Sequence, residues 1–394
     1  MDSRRWHDWC TAATPQEPPP LTLQQWGALE SAQRRSQIDH LKRWLHQHYF
    51  MTAQFDAVTQ RLNTIVERNA QTPPGAKEIP VITGPNTIGK SAFIKHWARE
   101  RYLHWTALAV HGSTHRPVWY PTPDVECDFC PVVFINLQAD AQTKALDSQI
   151  LGFYGLPSGT TAHDTTRSAM KSLARHQARV LVIDDVNLLK TEWRGARKVL
   201  DHIKFLNTEL GENAATLVLV GANLIGGELL NDPQIKGRSK TFAVTQYEID
   251  EPDEQRVWQR VIRDIEQRLR PHLPAGGDGM LYRDLAGELW FRTQGYFQDL
   301  KQLICEATLA ATNDGTHAIL RHHLDGVTLS DRAEAARYAM MDGAGALTGP
   351  KARTLSAAHN AAPPATSRAA KPKAPRGKAR HSGGSSRTSD RKPA

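Results

Sequence analysis

The sequence predicts an α/β fold: a parallel sheet between helices, preceded by N-terminal helices and followed by a small C-terminal helical lid and a basic tail. Two observations predict it. Five short apolar runs, at residues 79–83, 131–137, 180–183, 216–220 and 241–244, are separated by stretches long enough for crossover helices, the pattern of a parallel sheet covered on both faces. The first run leads straight into a glycine-rich loop and the start of a helix, a strand–loop–helix order with a recognisable chemistry.

Taken in order, residues 1–75 form an N-terminal helical segment. Ile38, Leu41 and Leu45, then Phe55, Val58, Leu62, Ile65 and Val66, recur three or four apart among charged residues, which predicts two or so amphipathic helices within residues 21–70. Pro73, Pro74 and Gly75 end that pattern. Residues 76–248 carry the five strands and form the core. Residues 249–340 turn helical, from Glu251 to about Ala311, and make the lid. Residues 341–394 are the tail.

Composition narrows the classes of protein. Among 394 residues no run approaches the roughly 18 apolar residues of a membrane-spanning helix. The first twenty residues also lack the apolar stretch of a secretory signal. A cytoplasmic protein with no membrane partner is expected. Four cysteines, Cys10, Cys127, Cys130 and Cys305, are too few to read as a disulfide framework. The net charge of +8 belongs to the tail: residues 350–394 hold eleven Lys or Arg against Asp390 alone, so they contribute +10 and the remainder −2. Rich in Ala, Pro, Ser and Gly, the tail is expected to be disordered. Its charge suits either contact with a nucleic-acid backbone or simple solvation.

The chemistry lies at the ends of the strands. Gly84, Pro85, Asn86, Thr87, Ile88, Gly89, Lys90 and Ser91 satisfy G-x-x-x-x-G-K-S/T between a strand and a helix, so the expected ligand is ATP with Mg2+. Backbone amides of such a loop face the phosphates, Lys90 reaches the β and γ phosphates, and the Ser91 hydroxyl ligates Mg2+. Residues 180–185 read Val-Leu-Val-Ile-Asp-Asp, an apolar strand ending in two carboxylates. Asp184 is the expected second Mg2+ ligand, and Asp185 the group that polarises the attacking water. Asn223, just past the fourth run, is placed to orient that water or to serve as a turn residue. Arg238, just before the fifth run, is the candidate finger for a neighbouring subunit's nucleotide, its alternative being a surface arginine.

These elements, read as GPNTIGKS, PVVFINL, VLVIDDVNLL, HIKFLNTEL, LVLVGAN and DPQIKGR over about residues 35–310, resemble the AAA+ ATPases of transposons of the TniB/TnsC type and, more distantly, the IstB helper ATPases. The last three segments in that order carry more of the resemblance than the phosphate loop does. It implies an ATPase whose ATP-bound subunits form a homo-oligomeric ring or filament on DNA and recruit or activate a transposase. Alternatives are an ATP-bound DNA scaffold with little hydrolysis, and an AAA+ helicase loader or defence ATPase. Two residues depart from the family pattern. Asp185 stands where most AAA+ proteins carry Glu, which implies slow hydrolysis, and Gln298 stands where many carry a lid arginine, leaving Arg292 or Lys301 as substitutes. Separately, His111, His115, Cys127 and Cys130 have spacings compatible with zinc, against the favoured reading of surface histidines and reduced thiols.

Overall fold

The computed structural model describes residues 1–138, 142–189 and 196–345. The chain begins with helices α1 (Ser3–Thr11), α2 (Leu23–Ala28), α3 (Ser31–Gln47) and α4 (Ala53–Gln71). The core follows as β1 (Ile79–Gly84), α5 (Lys90–Thr106), β2 (Val110–His111), β3 (Pro117–Thr122), β4 (Val125–Asp128), β5 (Val132–Asn136), α6 (Thr143–Phe153), α7 (Ala162–Arg175) and β6 (Val180–Asp184). It continues with α8 (Ala196–Glu212), β7 (Thr216–Ala222), α9 (Glu228–Asn231), α10 (Pro233–Arg238) and β8 (Ser239–Ala243). The lid comprises α11 (Pro252–Leu269), α12 (Ala286–Thr293), α13 (Phe297–Asn313), α14 (Arg321–Asp325) and α15 (Asp331–Gly345). The tail reading falls on residues 346–394, outside the described residues, and α15 runs a few residues past the expected boundary at 341.

All five expected strands form one parallel sheet in the order β5-β6-β7-β1-β8. The central strands are apolar throughout because both their faces are covered: Val81 and Ile82 in β1, Val180 to Ile183 in β6 and Leu217 to Val220 in β7 have no exposed surface. Register decides what stands at the carboxyl edge. Gly84 lies beside Ala222, and Asn136 beside Asp184, so the phosphate loop and the two acids leave the sheet at the same edge, where ligands of open α/β sheets bind. The fifth strand starts two residues before the expected one, at Ser239, and is an edge strand.

Three features depart from the sequence reading. Residues 21–71 hold three helices instead of about two, because α2 and α3 are each closed by a reciprocal cap. Thr22 pairs with Gln25 in the first, and Glu30 with Gln33 in the second, satisfying amides that a continuous helix would have bonded internally. An antiparallel sheet, β2-β3-β4, occupies residues 110–128. Lastly, α1 buries Trp6 almost fully, stacked on Phe134 of β5 at 5.5 Å. Arg99 of α5 holds α1 by donating to the carbonyls of Cys10 and Ala12, both at 2.9 Å. The chain then crosses to the lid, where Glu17 meets Arg268 at 2.6 Å and His272 at 3.0 Å.

The lid is organised by α11, which buries Trp258, Val261, Ile262, Ile265 and Leu269 on one face. Its buried Glu266 accepts from the amides of Gly279 and Leu281, both at 2.7 Å, so the carboxylate fixes the turn before α12. Among the described residues, no helix is long and apolar enough to cross a membrane.

Because Trp6 is fully packed between core elements, Trp6→Ala should cost about 3–5 kcal/mol. Denaturant unfolding of the full chain measures this; an unchanged midpoint would mean that α1 is not part of the core.

Candidate nucleotide-binding site

The phosphate loop is built by close approach. A Cβ at Gly84 would lie 2.0 Å from the carbonyl oxygen of Val244, so only glycine lets β1 end against the chain leaving β8. Thr87 (φ 62°) and Gly89 (φ 98°) turn the loop through the left-handed region, and α5 starts at Lys90 with its first amides free of intrahelical partners. Lys90 is buried, and its Nζ donates to the carbonyls of Gly84 at 3.0 Å and Pro85 at 2.6 Å. Burial pulls its ammonium below the usual lysine range, while Asp184 and Asp185 oppose that shift.

Asp184 ends β6 and is only 1% exposed. One carboxylate oxygen, Oδ1, accepts from the Asp185 amide at 3.0 Å, and the Ser91 side chain lies close enough to influence the carboxyl. The other oxygen, Oδ2, is buried with no hydrogen-bond partner among the described residues. Burial is the main cause raising this carboxyl above its ordinary value, with the Asp185 carboxylate adding to it and Ser91 and the Asp185 amide opposing it. A buried ionised oxygen without a partner is costly, and a cation between Ser91 and Asp184 would satisfy it. The donor set is hydroxyl and carboxylate oxygen, which suits Mg2+.

The neighbouring residues complete the edge. Asp185 is half-buried and left-handed (φ 59°, ψ 37°), opening a short 3-10 turn at Val186–Leu188. Asn223 is exposed, also left-handed (φ 48°), and its amide donates to Gly84 O at 3.1 Å. The structure thus brings Ser91, Asp184 and Lys90 together, with Asp185 and Asn223 at the same edge. Arg238 stands apart. It is the exposed last residue of α10, next to edge strand β8, and forms no ion pair among the described residues. Helix α10 is itself fixed: Asp232 caps it by accepting from Gln234 and Ile235 at 3.0 Å, and Lys204 of α8 reaches Asp232 at 3.2 Å.

Residues 41–249 match the family described as Bacterial TniB protein, more than half of the chain. It belongs to the TniB family. No curated protein matches it. Solved structures resembling this TniB-family chain include the ORC2 protein of Aeropyrum pernix in ADPNP–ADP complexes, at 12% identity and TM-score 0.45, covering 71% of this chain and 67% of that one. Cdc6p of Pyrobaculum aerophilum follows at 14% identity and TM-score 0.45, with 69% and 66% covered. Drosophila ORC bound to DNA shows 11% identity and TM-score 0.43, with 82% and 72% covered. The TniB chain is therefore a transposition-related protein with the P-loop AAA+ fold, an assignment carried by the family match and by its own strand order.

Several residues of the TniB site lay outside the sequence reading. Phe55 of α4 and Phe297 of α13 flank the loop, within 3.7 and 3.8 Å of where a Gly89 Cβ would be. Phe297 also lines a cavity between the 48–52 linker and the lid, with His48, Tyr49, Met51, Val261 and Arg268. Burial, aided by Arg268 and Lys301, pushes the His48 imidazole down to about 4. Sequence periodicity marks Phe55 only as an apolar helix position; nothing in it points to a nucleotide. Among the lid candidates, Gln298 is exposed. Arg292 is ruled out as a sensor: it is fully buried and spent on the carbonyls of Leu324 and Val327 and on Glu334. Lys301 is half-buried on α13, its ammonium pulled down by that burial.

The zinc spacing does not assemble. Among the described residues, the single group of three or more potential ligands with donor atoms within 4.8 Å is Asp314, His322 and His323 in the lid. His111, His115, Cys127 and Cys130 do not form one. Cys127 and Cys130 are buried free thiols, and burial pushes Cys130 up to about 12. In the lid group, His323 Nδ1 accepts from the Leu320 amide at 2.9 Å, which leaves its proton on Nε2, facing Asp314 Oδ2 at 2.7 Å. That is a hydrogen-bonded cap.

The raised Asp184 carboxyl has a stability consequence. Its folded pKa lies above its unfolded value, so the folded state binds this proton more tightly and stability falls as pH rises through the interval between them. Asp184→Asn removes the ionised oxygen and should stabilise the nucleotide-free protein at neutral pH by on the order of 1–3 kcal/mol. Thermal unfolding without Mg2+ or nucleotide checks this; a lower midpoint in the variant would contradict it.

Proposed function

We propose that this TniB-family chain binds Mg-ATP at the carboxyl edge of its sheet, assembles on DNA in the ATP-bound state, and there recruits or activates a transposase. The observation that carries the reading is the buried Asp184, near Ser91 and with Oδ2 unpartnered among the described residues, beside a phosphate loop whose lysine is also buried. When bound, Mg2+ would be held by Ser91 and Asp184 and would neutralise charge on the β and γ phosphates. Lys90 would move from the loop carbonyls to those phosphates. Asp185 would orient the attacking water with Asn223 beside it. Phe55 and Phe297 offer apolar faces next to the loop, in the direction of the cavity at the lid.

DNA and transposase enter from the family, and the tail's charge of +10 supplies a cationic arm for the DNA backbone. A second reading, an ATP-bound scaffold with little turnover, is favoured by Asp185. Its side chain is one methylene shorter than Glu, and it sits on a left-handed turn that fixes its reach. Turnover measured with and without duplex DNA separates the two.

Lys90→Ala should abolish tight ATP binding, and Asp185→Asn should keep binding while stopping turnover; wild-type values in either variant would reassign that residue. Arg238, exposed beside the edge strand, is proposed to act on a neighbour's nucleotide, a contribution worth about 10³–10⁵ in rate where such fingers operate. Arg238→Ala should bind ATP normally and hydrolyse it slowly. Mixing it with Lys90→Ala should restore part of the activity, because the intact Arg238 of one subunit can serve the intact loop of the other. Mixed oligomers no more active than the separate variants would return Arg238 to the surface.

A further inference from the structure

Three consecutive backbone N–H groups at the end of β7 are caught from its two sides, one by the turn after β6 and two by β1. Ala222 N donates to Asn187 Oδ1 at 2.8 Å, Asn223 N to Gly84 O at 3.1 Å, and Leu224 N to Thr83 Oγ1 at 2.8 Å. Asn187 belongs to the 3-10 turn that Asp185 opens, so it reaches from the β6 side. Thr83 and Gly84 belong to β1 and reach from the other side. Successive amides of a regular strand alternate between its two neighbours, so two in a row drawn to β1, those of Asn223 and Leu224, require the chain to leave strand geometry, and Asn223 takes φ 48° to do so.

Both side chains are chosen for this contact. Thr83 is 1% exposed in a strand whose other buried residues are apolar. A hydroxyl there costs desolvation unless it is bonded, and Val would fill the same space without that cost. On the other side, a Cβ at Gly221 would lie 3.0 Å from Asn187 Oδ1 and 2.9 Å from Val186 Cγ2. The turn carrying Asn187 therefore packs directly on the β7 backbone. Asn187 itself is exposed, so its amide is held in place by this bond and not by burial.

We propose that Thr83 and Asn187 are positioning residues for ATP hydrolysis: the clasp they form sets where Asn223 stands relative to Asp185. Asn187 ties the turn of one to the strand end of the other, and Thr83 holds the opposite side. This rests on the reading of Asp185 and Asn223 as the groups that orient the attacking water. Displacing such a group by about 1 Å can cost about 10²-fold in rate without altering substrate binding.

The test is steady-state turnover and equilibrium ATP binding of the full chain, with Mg2+ and duplex DNA, for Thr83→Val, Thr83→Ser and Asn187→Ala. Thr83→Val and Asn187→Ala should keep ATP affinity and KM within about twofold while kcat falls by about tenfold or more. Thr83→Ser retains the acceptor and should restore most of kcat. Should Thr83→Val fail to fold, the exposed Asn187→Ala decides the matter. If the wild type turns over and both acceptor-deleting variants keep its kcat, or lose affinity with kcat intact, the positioning assignment is overturned and the hydrolytic reading survives. If the wild type binds ATP but does not turn it over at all, the two fall together.

Discussion

One carboxylate oxygen, Asp184 Oδ2, lies buried at the carboxyl edge of a parallel sheet with nothing among the described residues to pair with it. Its burial follows from the strand order: β6 is covered on both faces and flanked by β5 and β7, so any side chain at its end is enclosed on several sides. A fold maximising stability would place an apolar or fully bonded residue there. Instead the site keeps an acid whose ionised form is penalised, together with a buried lysine folded onto loop carbonyls. Each would be satisfied by the same occupant, the metal-bound polyphosphate proposed above. Stability given up at a functional site in this way is a common trade.

Several of the described elements keep that edge in shape. Gly84 lets β1 stop against the chain beyond β8, and the β7 exit is fixed from both sides. The N-terminal residues act at longer range: α1 is anchored to the core through Trp6 and Arg99, and Glu17 reaches Arg268 and His272 in the lid. With α3 packed on α13 through Leu45 and Cys305, the first fifty residues brace lid against core. Phe297 consequently stands beside the phosphate loop in a defined place.

Much of this is legible in the sequence because it depends on local pattern. The five strands announce themselves as apolar runs, since burial on both faces leaves no alternation to obscure them. The phosphate loop and the acidic pair are visible because phosphate and metal chemistry constrain residue type at fixed spacing. What escapes is long-range. Trp6 reads as a residue of a charged N-terminus until Phe134 is beside it. Arg292 reads as a lid sensor until its guanidinium is found bonded to Leu324, Val327 and Glu334. Thr83 belongs to none of the quoted segments and Asn187, though inside VLVIDDVNLL, has no role to read there, because their partners are backbone amides that a sequence does not distinguish. The zinc spacing shows the opposite error: pairs of correct local spacing do not converge when the strands between them fold.

If Asp184 and Ser91 are held ready, as proposed, for a divalent cation that arrives with nucleotide, ATP binding must depend on that cation. Calorimetric titration of the wild-type chain with ATP, in Mg2+ and again in EDTA, measures this most directly. Binding should be tight in Mg2+ and at least about tenfold weaker in EDTA, a loss of about 1.4 kcal/mol. Equal affinities under the two conditions, or no ATP binding in Mg2+, would contradict it.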